Sequence, residues 1–259
     1  LSALGSVVLL TKKEAAESNT NYAQGGIAAV TSAVDSFDAH VSDTLAAGAG
    51  LCDERIVRLT VSEAPQRIRE LQELGVRFSR AEGRGGPDLG LEAGHSRRRI
   101  LHAGDITGRE IERALVEACR RDSNIRFHEN HIGINLILDG RGRARGAYAM
   151  DRETRRIRAF NADRTILATG GAGKVYLYTS NPDIATGDGL AMALRAGARV
   201  SNMEFVQFHP TCLFHPKAKS FLLSEALRGE GGKLRLKDGK RFMPAYSPQA
   251  ELAPRDVVA

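Results

Sequence analysis

The sequence predicts an α/β fold: a doubly wound parallel sheet with an antiparallel β meander, followed by the start of an α+β second domain. Two short apolar runs rich in β-branched residues, 6–10 and 165–168, are typical of parallel strands buried on both faces. Strand-like segments separated by turn residues lie between them and predict the meander. The character of the sequence changes near residue 203, so we predict domains at 1–202 and 203–259.

The first part of the chain predicts one strand and two helices. The run at 6–10 begins too early for a dinucleotide-binding unit, which needs a strand, a glycine turn and a helix ahead of it, so we expect an N-terminal βα unit to be missing. Asp53 can cap a helix over residues 54–62. Pro65 lies where a second helix would begin, and Gly75 would end it. We therefore predict a helical pair.

A third helix is marked by Thr107 and Glu110, which form a capping box, and it should end near Asp122. The remaining predicted elements are strands at 125–128, 133–138, 145–150 and 156–160, helices at 188–196 and around 222–227, and a hairpin turn at 238–239.

Composition restricts the class of partner. The formal net charge of +6 favours anions such as a dinucleotide, a dicarboxylate or nucleic acid, unless it is simply a solvated basic face. No zinc finger, aromatic RNA-binding signature or basic zipper accompanies it, so we expect no nucleic acid. No apolar stretch approaches the roughly 20 residues of a membrane helix, so we expect no membrane. Cys52, Cys119 and Cys212 show no paired metal spacing, which predicts a cytoplasmic protein without a metal.

Glycine-rich segments near the strand ends indicate a ligand site. Residues 19–26, NTNYAQGG, offer a hydroxyl, amides and a glycine pair where the backbone can approach a flavin or a pyrophosphate. The turn ATGG at 168–171 follows the second predicted parallel strand, where doubly wound folds bind ligands. Asp188 begins a helix, where it would cap the helix or accept a hydrogen bond from a ribose or from a group on the flavin side. Taken singly, each segment also suits a plain turn.

Six segments together carry a more specific signal: YAQGGIAAV, GHSRRRILHAGDITGRE, ATGGAGKVY, NPDIATGDG, EFVQFHPTC and ELAPRD. In order and separation they resemble the superfamily of succinate dehydrogenase, fumarate reductase and L-aspartate oxidase flavoproteins, most closely its L-aspartate oxidase branch. The resemblance implies an FAD-binding domain at 1–202 and a truncated capping domain at 203–259. The family's N-terminal GxGxxG turn is absent, as are later segments that supply another substrate histidine and arginine. An inactive fragment is therefore one alternative.

The resemblance implies FAD as the cofactor. The residues that match its contacts are Lys12, Asn19, Thr20, Asn21, Tyr22, Ala23, Gln24, Gly25, Gly26, Thr169, Gly170 and Asp188. Membrane-complex members attach FAD through the histidine of an SHT triplet, where this sequence has Ser18, Asn19 and Thr20. We therefore expect non-covalent FAD.

The resemblance also implies oxidation of L-aspartate to iminoaspartate, the first step of NAD biosynthesis through quinolinate, with oxygen or fumarate as electron acceptor and a functional link to quinolinate synthase. Arg255 matches the active-site arginine, whose guanidinium can clamp a carboxylate and act on substrate protons. His209 and Ser224 match carboxylate-binding positions, the second usually threonine. Glu92 matches the oxidase-type position, where a carboxylate can pair with the substrate ammonium. The alternative enzyme is a soluble fumarate reductase or succinate dehydrogenase flavoprotein.

Overall fold

The computed structural model describes residues 1–83, 85–215 and 217–259. They form two compact units. The first unit comprises Leu1–Asn19 and Val116–Val206, and the second comprises Thr20–Leu115 and Gln207–Ala259. Residues 20–115 thus group with the C-terminal segment, and the domain bounds 1–202 and 203–259 stay a prediction.

Helices and strands are interspersed along the described chain. The helices are α1 (Phe37–Ala47), α2 (Glu54–Glu73), α3 (Thr107–Arg121), α4 (Asp188–Arg195), α5 (Ala226–Gly229) and α6 (Arg255–Val258). The strands are β1 (Val7–Leu10), β2 (Ile27–Ala28), β3 (Leu89–Gly90), β4 (Ile100–Leu101), β5 (Ile125–His128), β6 (His131–Leu138), β7 (Ala144–Asp151), β8 (Ile157–Asn161), β9 (Cys212–His215) and β10 (Ala218–Leu222).

The first unit contains a parallel strand pair and a meander. β1 and β5 pair in parallel, from Val7 opposite Ile125 to Leu10 opposite His128. β6, β7 and β8 pair antiparallel in that order, which confirms the predicted meander. α4 contacts β6, where the guanidinium of Arg195 donates to the side-chain oxygen of Asn135. The bounds of α4, Asp188–Arg195, confirm the helix predicted at 188–196.

The second predicted parallel strand is wrong. Residues 165–168 have no strand conformation, and the side chains of Ile166 and Leu167 are 64% and 39% exposed. A parallel strand is stable when neighbouring strands satisfy its edges and helices cover its faces. Among the residues that the structure describes, no strand pairs with this run. The hydrophobicity of residues 165–168 alone was therefore not sufficient to predict a strand.

The second unit packs a helix against a small antiparallel sheet. The strand order is β2-β4-β3. Its core is Ala29, Ile68 of α2 and Leu101 of β4, with partly buried residues packed around them. These partly buried residues are Ile27, Ala64, Leu71, Phe78 and Leu89. The sheet lies immediately next to the chain segments that carry several predicted site residues.

The predicted helical pair is one continuous helix, α2. Its start is confirmed, because the carboxylate of Asp53 caps it, and the chain turns at Gly75, whose φ is +102°. The break at Pro65 is wrong, since α2 runs through it. An interior proline costs about 3 kcal/mol through its missing N–H and its ring. Val61 and Ile68 are buried on either side of Pro65, and this packed face offsets that cost.

α3 has the predicted bounds but different contacts at its start. The Thr107 hydroxyl accepts a hydrogen bond from the N–H of Ala103 at 3.1 Å. The Glu110 carboxylate accepts from the N–H of Arg77 at 2.9 Å and from Arg113. Both side chains of the predicted capping box thus connect α3 to other segments of the second unit.

The C-terminal segment also departs from prediction in one element. The helix expected around 222–227 begins only at Ala226, because Leu222 is the last residue of β10 and pairs with Cys212. The hairpin turn is confirmed: Gly239 has a φ of +85°, and the N–H of Leu236 donates to the carbonyl of Lys240 at 2.8 Å.

Candidate functional site

In the first unit, an ion pair joins the end of β1 to the start of α4. The ammonium of Lys12 pairs with the carboxylate of Asp188 and donates to the Thr186 hydroxyl and to the Ile184 carbonyl, the last at 3.1 Å. The Thr186 hydroxyl donates to Asp188 at 2.7 Å. Burial favours a higher pKa for Asp188, but the hydrogen bonds from Lys12 and Thr186 hold this pKa below its ordinary value. Asp188 is therefore a carboxylate at neutral pH.

The glycine turn at 168–171 lies beside this ion pair. A Cβ on Gly189 would stand 1.8 Å from the Thr169 hydroxyl, so Thr169 packs directly on the first turn of α4. Gly170 has a φ of +68°, which favours glycine, and a Cβ there would be 3.4 Å from the side-chain nitrogen of Asn19. The structure thus brings Lys12, Asn19, Thr169, Gly170 and Asp188 together within one unit.

The rest of the NTNYAQGG segment belongs to the second unit. Thr20–Tyr22 forms a 3-10 turn, and the start of α3 packs on it, since a Cβ on Gly108 would be 1.8 Å from the Thr20 carbonyl oxygen. The N–H of Gly108 donates to the carbonyl of Ala23 at 3.0 Å. The side-chain amide of Gln24 donates to the carbonyl of Leu222 at 2.8 Å. The backbone of the segment is therefore fixed.

Glu92 lies half-buried against the glycine pair at the end of this segment. Its carboxylate accepts a hydrogen bond from the N–H of Gly26, and a Cβ on Gly25 would stand 3.2 Å from Glu92 Oε1. Burial raises the pKa of Glu92, and the negative charge of Glu225 adds to this effect. The Gly26 hydrogen bond and the charge of Arg255 oppose it without cancelling it.

Arg255, the first residue of α6, is held by two side chains of the second unit. Its Nε and Nη2 lie 2.7 and 2.6 Å from Glu225 Oε2, and Nη1 donates to the side-chain oxygen of Gln207 at 2.8 Å. The Glu225 side chain is only 7% exposed, whereas the Arg255 side chain is 39% exposed. The guanidinium is therefore anchored on a buried carboxylate while part of it still faces solvent.

Glu225 belongs to a buried network that the sequence reasoning missed. Its carboxylate also accepts from Arg228, whose Nη1 donates to the Glu251 carbonyl at 2.6 Å. The Glu251 carboxylate binds Arg241, whose hydrogen bonds lower the pKa of Glu251 to about 2. The Glu–Arg spacing of three residues in SEALR was the available signal, because such pairs face each other on a helix.

His209 and Ser224 lie on neighbouring backbone segments. The N–H of Leu223 donates to the carbonyl of Thr211 at 3.1 Å, which pairs the two segments. The His209 Nδ1 lies 2.9 Å from the carbonyl oxygen and 3.2 Å from the N–H of Thr211. Burial and the charge of Arg255 lower the pKa of His209, so its imidazole is neutral at pH 7.

Each unit, taken by itself, offers groups that suit contacts to a flavin nucleotide. In the second unit, the side-chain oxygen of Gln24 is buried and has no hydrogen-bond partner among the described residues. An unpaired buried acceptor costs about 1–3 kcal/mol, so a bound donor would stabilise it. In the first unit, Gly170 and Gly171 are exposed, and a Cβ on Gly171 would meet nothing within 4 Å. Such a bare turn allows close approach of a ligand.

Comparison with known proteins supplies the family. The family model described as FAD binding domain matches residues 2–259. The chain belongs to this FAD binding domain family. FAD, the cofactor predicted from the sequence, is therefore confirmed for the family.

Similar proteins agree with the predicted superfamily. The chain is 54% identical over 259 residues to L-aspartate oxidase 1 of Ralstonia nicotianae, covering 98% of this chain and 49% of that protein. It is 50% identical to L-aspartate oxidase of Pseudomonas aeruginosa, covering 98% and 49%. Among solved structures, quinol fumarate reductase of E. coli superposes with a TM-score of 0.90 at 34% identity, covering 98% of this chain and 44% of that chain. The predicted α/β fold class and the resemblance are confirmed.

Three further findings concern the length of the chain, membrane helices and metal clusters. The chain spans about half the length of the curated relatives it matches. In the described ranges, no helix is both long enough and apolar enough to cross a membrane. The same residues contain no cluster of three or more His, Cys, Asp or Glu side chains suited to a metal ion.

Proposed function

We propose that this chain is part of a flavoenzyme that oxidises L-aspartate to iminoaspartate. The main support is that the second unit holds two side chains of opposite charge near each other. Arg255 offers a partly exposed guanidinium, and Glu92 offers a half-buried carboxylate close enough for their charges to interact. Aspartate carries two carboxylates and an ammonium, so it can engage both groups. The names of the relatives support the same substrate.

The roles of the substrate residues follow from their contacts. Glu225 binds Nε and Nη2 of the Arg255 guanidinium and Gln207 binds Nη1, so the exposed part of the guanidinium is held in place for a carboxylate before binding. His209 and Ser224 lie on paired segments and would bind the second carboxylate, with Ser224 supplying a hydroxyl donor. Glu92 would pair with the ammonium and orient the α-carbon.

FAD accepts the electrons removed from the substrate when it is bound. We assign its contacts to the residues predicted from the sequence. These are Lys12, Asn19, Thr20, Asn21, Tyr22, Ala23, Gln24, Gly25, Gly26, Thr169, Gly170 and Asp188. The binding is proposed to be non-covalent, because Asn19 replaces the histidine that carries the covalent bond in membrane-complex relatives.

The biological setting is part of the same proposal. We assign the reaction to the first step of NAD biosynthesis through quinolinate, with oxygen or fumarate as electron acceptor. Iminoaspartate is unstable, which supports a functional link to quinolinate synthase as its consumer. A cytoplasmic location fits the three free thiols of Cys52, Cys119 and Cys212.

A soluble fumarate reductase or succinate dehydrogenase flavoprotein is the second candidate, supported by the structural likeness to quinol fumarate reductase. Fumarate and succinate carry no ammonium, so this function gives Glu92 no partner. The carboxylate is nevertheless held in place by Gly26 and packed against Gly25. This arrangement favours the amino acid substrate.

The test uses the full-length protein that contains this chain, loaded with FAD and kept without oxygen. The flavin bands near roughly 370 and 450 nm report the oxidised cofactor. Aspartate should bleach them, and oxygen or fumarate should restore them. Bleaching by succinate with no response to aspartate would replace the proposal with the second candidate.

A further inference from the structure

Gly229, the last residue of α5, lies directly against the backbone that carries Glu92. A Cβ on Gly229 would stand 2.4 Å from the carbonyl oxygen of Leu91 and 4.0 Å from the Cα of Glu92. Contacts of a real Cβ below 3.0 Å essentially do not occur. The opposing atom is backbone, which cannot rotate away as a flexible side chain would. Only glycine permits this approach.

The local conformation does not otherwise require glycine. Gly229 is helical and is not among the residues with positive φ. In a helix, alanine is favoured over glycine by about 1 kcal/mol. The glycine at this position therefore serves the close approach to Leu91 rather than the shape of α5.

α5 is anchored, so it cannot easily retreat from Leu91. Arg228, the preceding residue, is buried and bound to the Glu225 carboxylate and the Glu251 carbonyl. The N–H of Gly229 donates to the Glu225 carbonyl at 3.0 Å, and the N–H of Gly232 donates to the Leu227 carbonyl at 2.7 Å. A side chain at 229 would therefore displace the Leu91 backbone rather than α5.

Glu92 is also confined by contacts of its own side chain. Its carboxylate accepts from Gly26 and lies 3.2 Å from the position of a Cβ on Gly25. Beyond Glu92, the N–H and hydroxyl of Ser96 both donate to Asp43 at 2.8 Å. The segment from Leu91 to Ser96 is thus held at both ends, and a displacement at Leu91 is transmitted to the Glu92 carboxylate.

We propose that Gly229 is a positioning residue for substrate selection: its bare α-carbon sets the place of the Glu92 carboxylate and thereby the preference for a dicarboxylate that carries an amine. The inference rests on the proposed function, in which Glu92 pairs with the ammonium of the substrate. Gly229 acts through the Leu91 backbone and has no contact with the substrate.

The test compares two reactions of the full-length FAD-loaded enzyme, aspartate oxidation and fumarate reduction. A displacement of about 1 Å can cost on the order of 100-fold in rate, so Gly229→Ala should lower kcat/KM for aspartate by roughly tenfold or more. The kcat/KM for fumarate, which needs no amine contact, should change by less than about threefold. In a Glu92→Gln background the same substitution should leave the ratio of the two activities unchanged, because the two changes act on one contact.

Gly232→Ala is the matched control. A Cβ on Gly232 would stand 2.5 Å from the Leu227 carbonyl oxygen, so it strains the same turn without contacting Leu91. It should affect both reactions equally. If Gly229→Ala also affects both equally, the positioning role is overturned. A wild-type enzyme that does not oxidise aspartate would instead overturn the proposed function.

If the Gly229→Ala protein fails to retain its flavin bands, a second variant tests the inference. Arg98 Nη1 lies 3.3 Å from the carboxylate of Glu230 and 3.3 Å from the carbonyl of Leu89, so it joins the same two segments from the surface. Arg98→Ala removes this weaker connection and should shift the activity ratio in the same direction. An unchanged ratio in Arg98→Ala would overturn the inference.

Discussion

Arg255 and Glu225 form an ion pair of unequal burial, in which the carboxylate is almost completely enclosed and the guanidinium remains partly open to solvent. Glu225 also binds the buried Arg228, so one carboxylate is shared by two guanidinium groups. A buried charge is tolerated only when it is paired, and the Glu225 carboxylate is an ion-pair partner of both arginines. The open part of Arg255 is thereby presented in a fixed orientation.

Glu225→Gln should strongly destabilise the chain. Removing one partner of a buried pair costs about 3–5 kcal/mol, because the remaining charges stay desolvated without compensation. Urea unfolding followed by circular dichroism measures the change. The control is Glu230→Gln, whose carboxylate is 61% exposed beside Arg98 and should matter by less than about 1 kcal/mol. Equal midpoints for the two variants would contradict this account.

Glu92→Gln should separate the two reactions of the full-length enzyme. A hydrogen bond to a charged group contributes about 1.5–3 kcal/mol, which corresponds to roughly 10- to 100-fold in kcat/KM for aspartate. Fumarate reduction should be nearly unaffected, because fumarate has no ammonium. Steady-state kinetics with both substrates measure the difference. An equal loss in both reactions would remove the amine-pairing role of Glu92.

The pH dependence of aspartate binding should report the same carboxylate. Burial and the charge of Glu225 raise the pKa of Glu92, so protonation begins at a higher pH than for an exposed glutamate. The ammonium needs the ionised form, and KM for aspartate should therefore rise as the pH falls through this raised pKa. KM should be constant above it until the substrate amine itself deprotonates. The acid limb should vanish in Glu92→Gln, and its persistence there would assign the titration to another group.

Elements with local signals were predictable from the sequence. β1 and the meander follow from apolar runs and turn residues, and α4 begins at Asp188 as its position after a glycine turn predicted. The departures have tertiary causes. α2 continues through Pro65 because buried apolar residues lie both before and after this proline in the helix. The run at 165–168 lacks a pairing partner among the described strands. Secondary-structure propensity alone predicts neither the burial of a helix face nor the presence of a neighbouring strand.

In the candidate site, too, some features were predictable from the sequence and others are visible only in the structure. Glu92, His209, Ser224 and Arg255 were identified because their motifs resemble a known family, and the structure brings them into one unit. The bond of Arg255 to Glu225 joins residues far apart in sequence and has no local signature. The close approach of Gly229 to Leu91 is likewise a property of the folded chain. Sequence motifs therefore name residues, while the contacts that orient them require the structure.

Lys12→Met should weaken FAD binding in the full-length protein. The substitution removes the cation beside Asp188 and leaves this partly buried carboxylate with the Thr186 hydroxyl as its remaining hydrogen-bond donor in the cluster. We expect the Kd for FAD, measured by quenching of flavin fluorescence, to rise by about tenfold or more. Lys13→Met is the matched control, since Lys13 is more exposed and pairs with Glu17 at 3.7 Å. Similar Kd values for both variants would count against a cofactor role for Lys12.

The buried pair of Arg99 and Asp35 should set the acid stability of the second unit. The Arg99 side chain is 0% exposed, and its Nε and Nη2 lie 2.9 Å from the two oxygens of Asp35. Hydrogen bonds from Arg99 lower the pKa of Asp35, although burial opposes them. A depressed carboxyl pKa stabilises the folded chain above the ordinary pKa and loses this contribution as the pH falls through the lowered value.

Asp35→Asn should therefore reduce stability at pH 7 and flatten its decline between about pH 5 and pH 2. Removing one charge from a buried pair costs about 3–5 kcal/mol at neutral pH, and the loss should shrink toward acid, where the wild-type carboxyl is itself protonated. Urea unfolding at several pH values measures both trends. Asp38→Asn is the control, because Asp38 is 88% exposed beside Arg58 and should change stability by less than about 1 kcal/mol. A loss that stays constant from pH 7 to pH 2 would show that the ionised form of Asp35 is not what stabilises the fold.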